Sequence, residues 1–239
     1  MTNLTVDAGL RKEPWLTRVR TKMSNVHMKI CPGSFRGSAD YWETRYERGG
    51  TSGAGSYGRL AIYKAEFLNA FVAKNQIETI IEFGSGDGAQ LALSDYPDYL
   101  GIDISQTAID LCIKKFTKDP RKRFQTVATY LDAVGGPAKA DMTLSLDAIY
   151  HLVEEEIFDT YMTQLFDAAS DYVIIYASNE ERPQKVPHVR HRRFTDWVED
   201  QRPGWTLLDH VANPYGERRS NQRNTSFADF YVFSRSSAD

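Results

Sequence analysis

Short apolar runs alternate with amphipathic stretches along most of the chain, and this alternation predicts an α/β fold built on a doubly wound sheet. Over residues 57–74, Leu60, Tyr63, Phe67 and Phe71 recur at helical spacing, so this segment is expected to lay an apolar face on the sheet. Residues 80–83 form the first strand-like run, and residues 99–104 the second. Ser105 then reads as the N-cap of a helix whose buried face is Ala108, Ile109, Cys112 and Phe116. Further strands are expected over residues 124–127, 140–146 and 172–177, with a helix over 153–169. Thr195 is placed as the cap of a short helix containing Trp197, and two late strands follow at 205–211 and 227–233. Residues 89–96 leave little room for a helix, with Pro97 ending it.

The first strand runs into a distinctive turn, Glu82-Phe83-Gly84-Ser85-Gly86-Asp87-Gly88. Glycines at alternate positions allow a sharp backbone turn and the close approach of a ligand at a following helix start. Gly84, Gly86 and Ala89 also satisfy the looser dinucleotide pattern, in which a pyrophosphate sits on that helix. Glu82 separates the two readings. A carboxylate aimed at the loop would repel a pyrophosphate but bind an ammonium group, directly or through water. Asp103 ends the second strand about 20 residues beyond the loop, the distance at which an acid meets ribose hydroxyls. It is the candidate ribose clamp, because its two oxygens can accept from both hydroxyls together.

Glu82, Gly84, Gly86 and Gly88 fill the fixed positions of [DE]-x-G-x-G-x-G, and with Asp103 they make the chain resemble class I S-adenosylmethionine-dependent methyltransferases. The resemblance implies a Rossmann-like, doubly wound, seven-stranded sheet with an antiparallel last strand, which the late strand pair suits. It implies S-adenosyl-L-methionine as cofactor, with Ile104 against the adenine face and Asp132 reaching the adenine amine. It also implies an arginine on the methionine carboxylate, for which Arg59 is the candidate. A solvated first-turn helix residue is the competing reading of Arg59. The passage from Asp40 to Leu60, with Tyr-Trp-Glu, Gly-Gly and Ser-Gly-Ala-Gly-Ser-Tyr in series, is similar to small bacterial methyltransferases that accompany glycosyltransferases in surface-polysaccharide pathways. That narrower resemblance implies a sugar or glycan acceptor.

Strand four should end at Asp147, which places Asp147, Tyr150 and His151 at the carboxyl edge where doubly wound folds bind ligands. His151 is the candidate general base, since an unperturbed imidazole titrates near pH 6.5, with Asp147 as base or orienting partner. Tyr150 is assigned to the acceptor. A histidine here can equally serve to organise the next helix. Beyond strand five lies a basic segment at residues 178–195, in which His188, Arg190 and His191 are candidate acceptor contacts. Forked arginines there suit an anionic acceptor such as a nucleotide sugar or a phosphorylated sugar.

At 239 residues and 41% hydrophobic the chain can bury one substantial core, so residues 39–239 are expected to be one methyltransferase domain, preceded by an extension at 1–38. Within it residues 39–60, rich in glycine, are expected to act as a lid. A net charge of -3 gives no global case for nucleic acid or anionic membranes. The chain has no run of 18 apolar residues and no apolar leader, so it is expected to be soluble, unexported and cytoplasmic. Cys31 and Cys112 lack metal-ligand spacing, and no metal is expected. The reading is therefore methyl transfer to a small-molecule or glycan hydroxyl. Its rivals are an NAD(P)-dependent Rossmann oxidoreductase and a nucleic-acid-directed methyltransferase or non-catalytic S-adenosylmethionine-binding protein.

Overall fold

The computed structural model of the chain describes residues 35–183, 185–216 and 225–236. The extension expected at 1–38 lies outside these residues apart from 35–38, and so does Cys31. The strands are β1 (Thr79–Phe83), β2 (Asp98–Asp103), β3 (Lys122–Thr126), β4 (Ala140–Leu146), β5 (Ala169–Ala177), β6 (Trp205–Val211) and β7 (Asp229–Arg235). The helices are α1 (Ser38–Glu47), α2 (Gly58–Asn75), α3 (Gln106–Lys115), α4 (Val127–Leu131), α5 (Glu155–Asp167) and α6 (Phe194–Gln201).

The strands form one seven-stranded sheet in the order β3-β2-β1-β4-β5-β7-β6. β1 to β5 pair in parallel, while β7 runs antiparallel between β5 and β6. This is the Rossmann-like doubly wound sheet with an antiparallel last strand. The winding direction reverses between β1 and β4, and a crevice opens at the carboxyl ends of strands at such a reversal.

Alternation along β1 sends its side chains to two layers. Ile81 and Phe83 join Phe158, Met162 and Leu165 of α5 on one face. Ile80 packs on the other with Leu68 and Val72 of α2 and Leu144, Ile174 and Phe230 from the sheet. Glu82 shares the parity of Ile80 and is therefore carried toward the α2 layer. The buried stripe of α2 is Leu60, Ala61, Lys64, Ala65, Leu68 and Val72, a helical repeat with one cation inside it. Burying each leucine of that stripe contributes about 2 kcal/mol.

Two expectations are corrected. No α-helix follows the glycine turn: the chain makes only a 3-10 turn at Leu91–Leu93 before β2 begins. Asn69 of α2 takes over the polar groups there, accepting from Asp95 N at 3.0 Å and donating to Leu93 O at 3.1 Å. Thr195 is not the cap of α6, which is Arg193. Thr195 sits inside the first turn, where its backbone N and hydroxyl meet the side-chain amide of Asn179, two residues beyond β5. Ser105 does cap α3, its Oγ accepting from Ala108 N at 3.0 Å. Because this hydroxyl is fully buried, Ser105→Ala is expected to cost about 1 kcal/mol. A lower urea midpoint at unchanged slope is the expected reading; an unmoved midpoint would show that α3 does not depend on the cap.

Candidate functional site

The turn after β1 is held by backbone bonds from Gly84 N and Ser85 N to Ile102 O, at 2.7 and 3.1 Å. Gly84, Gly86 and Gly88 all have positive φ, at 81, 56 and 67°. Each also faces protein atoms: a Cβ on Gly84 would meet Ala148 Cβ at 2.9 Å, and one on Gly88 would meet the Phe116 ring at 2.7 Å. A Cβ on Gly86 would run into the hydroxyls of Ser52 and Tyr46.

Two carboxylates flank this turn. Glu82 is buried toward α2 instead of lying open to the loop, and its Oε2 accepts from the Tyr99 hydroxyl at 2.7 Å. Burial raises its pKa to about 7, against the lowering effects of Tyr99 and Lys64. Asp103 ends β2, with Oδ2 accepting from Gly86 N at 2.8 Å and Oδ1 from Ser105 N at 2.9 Å. Its pKa rises to about 6, again through burial. Ile104 beside it is 49% exposed, a large apolar side chain open at the strand edge.

Residues 38–57 cross above these groups. Ser38 donates to Glu154 and to His151 O at the β4 side, while Glu43 accepts from Thr107 N and Oγ1 at the start of α3. Between these ends Asp87 Oδ2 accepts from Ser52 N at 3.1 Å and from the Tyr57 hydroxyl at 2.9 Å, and Asp87 N donates to Ser52 Oγ at 2.9 Å. Burial raises the pKa of Asp87, but the bonds from Ser52, Tyr57 and Ala89 outweigh it and hold the group below its ordinary value. Arg59, in the first turn of α2, lies over the Tyr215 ring at 4.6 Å.

Asp147 follows β4 in the left-handed region, φ 58°, with its amide bonded to Tyr176 O. Its Oδ1 accepts from the Tyr150 hydroxyl at 2.8 Å and its Oδ2 from Lys64 Nζ at 2.6 Å. His151 is placed beside them, edge-on to Trp42 with ring centroids 4.8 Å apart. Its Nδ1 lies 2.9 Å from the His188 carbonyl, so Nδ1 carries the proton and Nε2 the lone pair. Burial lowers its pKa to about 4. His188 itself stacks on Tyr41 at 4.3 Å, and burial followed by Arg45 lowers its pKa. Tyr41, Trp42, Tyr150, His151 and His188 thus gather at one edge.

The basic segment is tied largely to protein. Arg190 pairs with Glu155 and donates to Val153 O, and Arg192 donates to Leu152 O and Val153 O across the Phe158 ring. His191 is buried, its Nδ1 2.7 Å from Ser178 Oγ. The placement of Asp132 differs from the expected strand-to-acid pattern. It is exposed at the C-terminal end of α4, because Thr126 caps that helix directly after β3, so the acid does not follow the strand immediately. The sequence reading missed Lys64 and Glu43. Lys64 had a signal, a charged residue in register with Leu60, Leu68 and Val72; Glu43 had none, since α3 lies far along the chain. Among the described residues no group of three His, Cys, Asp or Glu could hold a metal, and no helix is long and apolar enough to cross a membrane.

No protein-family model and no curated protein matches the chain. Solved structures do match in fold. Magnesium protoporphyrin IX methyltransferase from Synechocystis PCC 6803 with bound SAH aligns at a TM-score of 0.59 and 14% identity, over 83% of this chain and 98% of that one. The N-methyltransferase NodS from Bradyrhizobium japonicum WM9, in complex with S-adenosyl-L-homocysteine, gives 0.60 and 11%, over 81% and 97%. The methyltransferase domain of bacterial CtHen1 gives 0.56 and 17%, over 73% and 97%. The chain has the class I S-adenosylmethionine-dependent methyltransferase fold.

The raised pKa of Glu82 has a sign that can be measured. Between about 4.5 and 7 the folded protein holds a proton that the unfolded chain has lost, so stability falls as pH rises through that window. In Glu82→Gln this component is absent. Urea midpoints taken at about pH 5 and pH 8 are expected to drop more for the wild type than for the variant; equal drops would mean the carboxylate is not held neutral by burial.

Proposed function

We propose that the chain is an S-adenosyl-L-methionine-dependent methyltransferase that methylates a hydroxyl of a small sugar-derived or glycan acceptor, within the cytoplasm and in the setting of surface-polysaccharide biosynthesis. The observation that carries the reading is the charge around the glycine turn. Asp87 and Asp103 place carboxylates at a loop whose next element is a 3-10 turn, with Glu82 buried behind it, so no α-helix dipole is aimed at the loop to hold a pyrophosphate. The same surroundings favour a ligand bearing a sulfonium and an ammonium.

The residues present fit the cofactor. Each oxygen of Asp103 takes one backbone N–H, and a carboxylate has about four acceptor positions, which leaves capacity for ribose hydroxyls. Ile104 offers an apolar face beside it, and the buried Ser85 hydroxyl has no partner among the described residues. The glycine turn and Glu82 complete the set, and Arg59 remains the proposed partner of the methionine carboxylate. Bound there, S-adenosylmethionine supplies an electrophilic methyl group.

The protein's own part is to position the acceptor and take its proton. The rings of Tyr41, Trp42, Tyr150 and His188 give flat faces of the kind that pack against a sugar, and such positioning can contribute roughly 7 to 11 kcal/mol. His151 Nε2 is the proposed acceptor of the hydroxyl proton. With its pKa lowered to about 4, the imidazole is neutral throughout the ordinary range and needs no deprotonation to act. Arg190 and His191 stay in the reading as residues that shape this wall from behind. Their partners Glu155 and Ser178 weaken the case for a strongly anionic acceptor or for nucleic acid.

S-adenosylmethionine or S-adenosylhomocysteine is expected to bind in a calorimetric titration while NADH does not. Tight NADH binding with no heat from either methionine derivative would overturn the assignment. His151→Ala is expected to keep cofactor affinity near wild type and lower single-turnover methyl transfer by about 100 to 10,000-fold. At saturating cofactor the wild-type rate should show no break near pH 6.5, because His151 becomes charged only below about 4. A melting temperature that falls in step with the rate would instead make His151 an organiser of the following turn.

A further inference from the structure

Lys64 is an unusual residue to find inside a core. Its side chain is 1% exposed, on the apolar stripe of α2, with Nζ 2.6 Å from Asp147 Oδ2 and 5.2 Å from the centre of the Tyr176 ring. A buried ammonium is kept only where it is paired, and the pair here stands at the carboxyl edge of β4, next to β1. Its field also reaches Glu82 on β1, so one cation serves two carboxylates on adjacent strands.

The surroundings are otherwise acidic. Glu43, Glu82, Asp87, Asp103 and Asp147 lie around the turn, whereas Lys115 donates to Asp87 O at 2.7 Å, Arg45 Nε to Thr51 O at 2.6 Å, and Arg59 lies over the Tyr215 ring. All three sit nearer solvent than Lys64, whose charge is little screened. Methyl transfer changes the charge of what occupies such a pocket. The sulfonium carries one positive charge that the thioether product lacks, so the fixed charge of the walls decides how differently the two are held.

We propose that Lys64 sets the net charge of the cofactor pocket and thereby determines how strongly the protein prefers the sulfonium ligand over its neutral thioether product. The proposal rests on the methyltransferase reading above. Lys64 is a specificity-determining residue here, acting through its field and its grip on Asp147. By offsetting one of the acids it holds the preference for the sulfonium down, in the ground state of the cofactor complex.

The test is calorimetric titration with S-adenosylmethionine and S-adenosylhomocysteine at about pH 8.5, above the raised Glu82 value. Lys64→Met is expected to raise the ratio of the two affinities in favour of the sulfonium by roughly tenfold, the size of a unit charge acting over about 10 Å at an effective dielectric constant of ~20. Asp147→Asn should move the ratio the other way, and the double variant Lys64→Met/Asp147→Asn should return it near wild type. A structural role for Lys64 would weaken both ligands together and leave the ratio in place, which would overturn the proposal. Should Lys64→Met not fold, Asp147→Asn and the double variant still differ by the Lys64 charge alone, and equal ratios in those two overturn it likewise. Wild-type protein that binds neither ligand defeats the functional reading itself, a result distinct from binding of both with an unmoved ratio.

Discussion

Three elements close on the turn after β1, and the absence of side-chain carbon at three positions is what lets them. The corner after β4 brings Ala148 against Gly84, the crossing segment brings Ser52 and Tyr46 against Gly86, and α3 brings Phe116 and Cys112 against Gly88. Positive φ at all three adds a backbone reason for glycine to the steric one. The pattern is therefore required by the protein's own packing before any ligand is considered.

That close packing determines the electrostatics. Drawing β1, β2 and β4 together beneath a cover removes Glu82 and Asp103 from water, and burial is the largest influence on each. Tyr99 donates to one, and two backbone amides donate to the other, so neither is left without a partner. Asp147 meets the same constraint differently, through a lysine delivered from α2. Its left-handed backbone turns the carboxylate back toward that helix, with Tyr150 on the opposite oxygen.

How much of this was legible in the sequence depended on whether the cause was local. Strands 140–146 and 205–211 were read at their observed limits, because the strand-forming residues of each are local and turn-forming residues such as Gly204 and Asp147 stand at their ends. The Ser105 cap was local too. The shortness of the segment after Gly88 was legible, but what replaces a helix there was not, since Asn69, far back on α2, holds the polar groups. The placement of Asp132 was not local either: the strand-to-acid spacing came from a resemblance, while here Thr126 starts a helix at once. Lys64 lay in plain register on an apolar stripe, but only its three-dimensional partner, 83 positions away, gives it meaning.

The carboxylates above and below the turn respond to protons in opposite senses. Asp87 and Glu43, which hold the crossing segment, have lowered pKa values: burial raises each, but hydrogen bonds from Ser52 and Tyr57, or from Thr107 and Ser105, prevail. Their contribution to stability is present above the unfolded carboxylate range and lost only as pH falls through the lowered values. Glu82 and Asp103 beneath are raised to about 7 and about 6, so they are neutralised first on acidification. Between those ranges the floor has lost its charge while the acids that fasten the cover keep theirs. Acidification therefore discharges the floor before it loosens the segment that crosses above it, and the two events are separable because desolvation governs the floor and hydrogen bonding governs the cover.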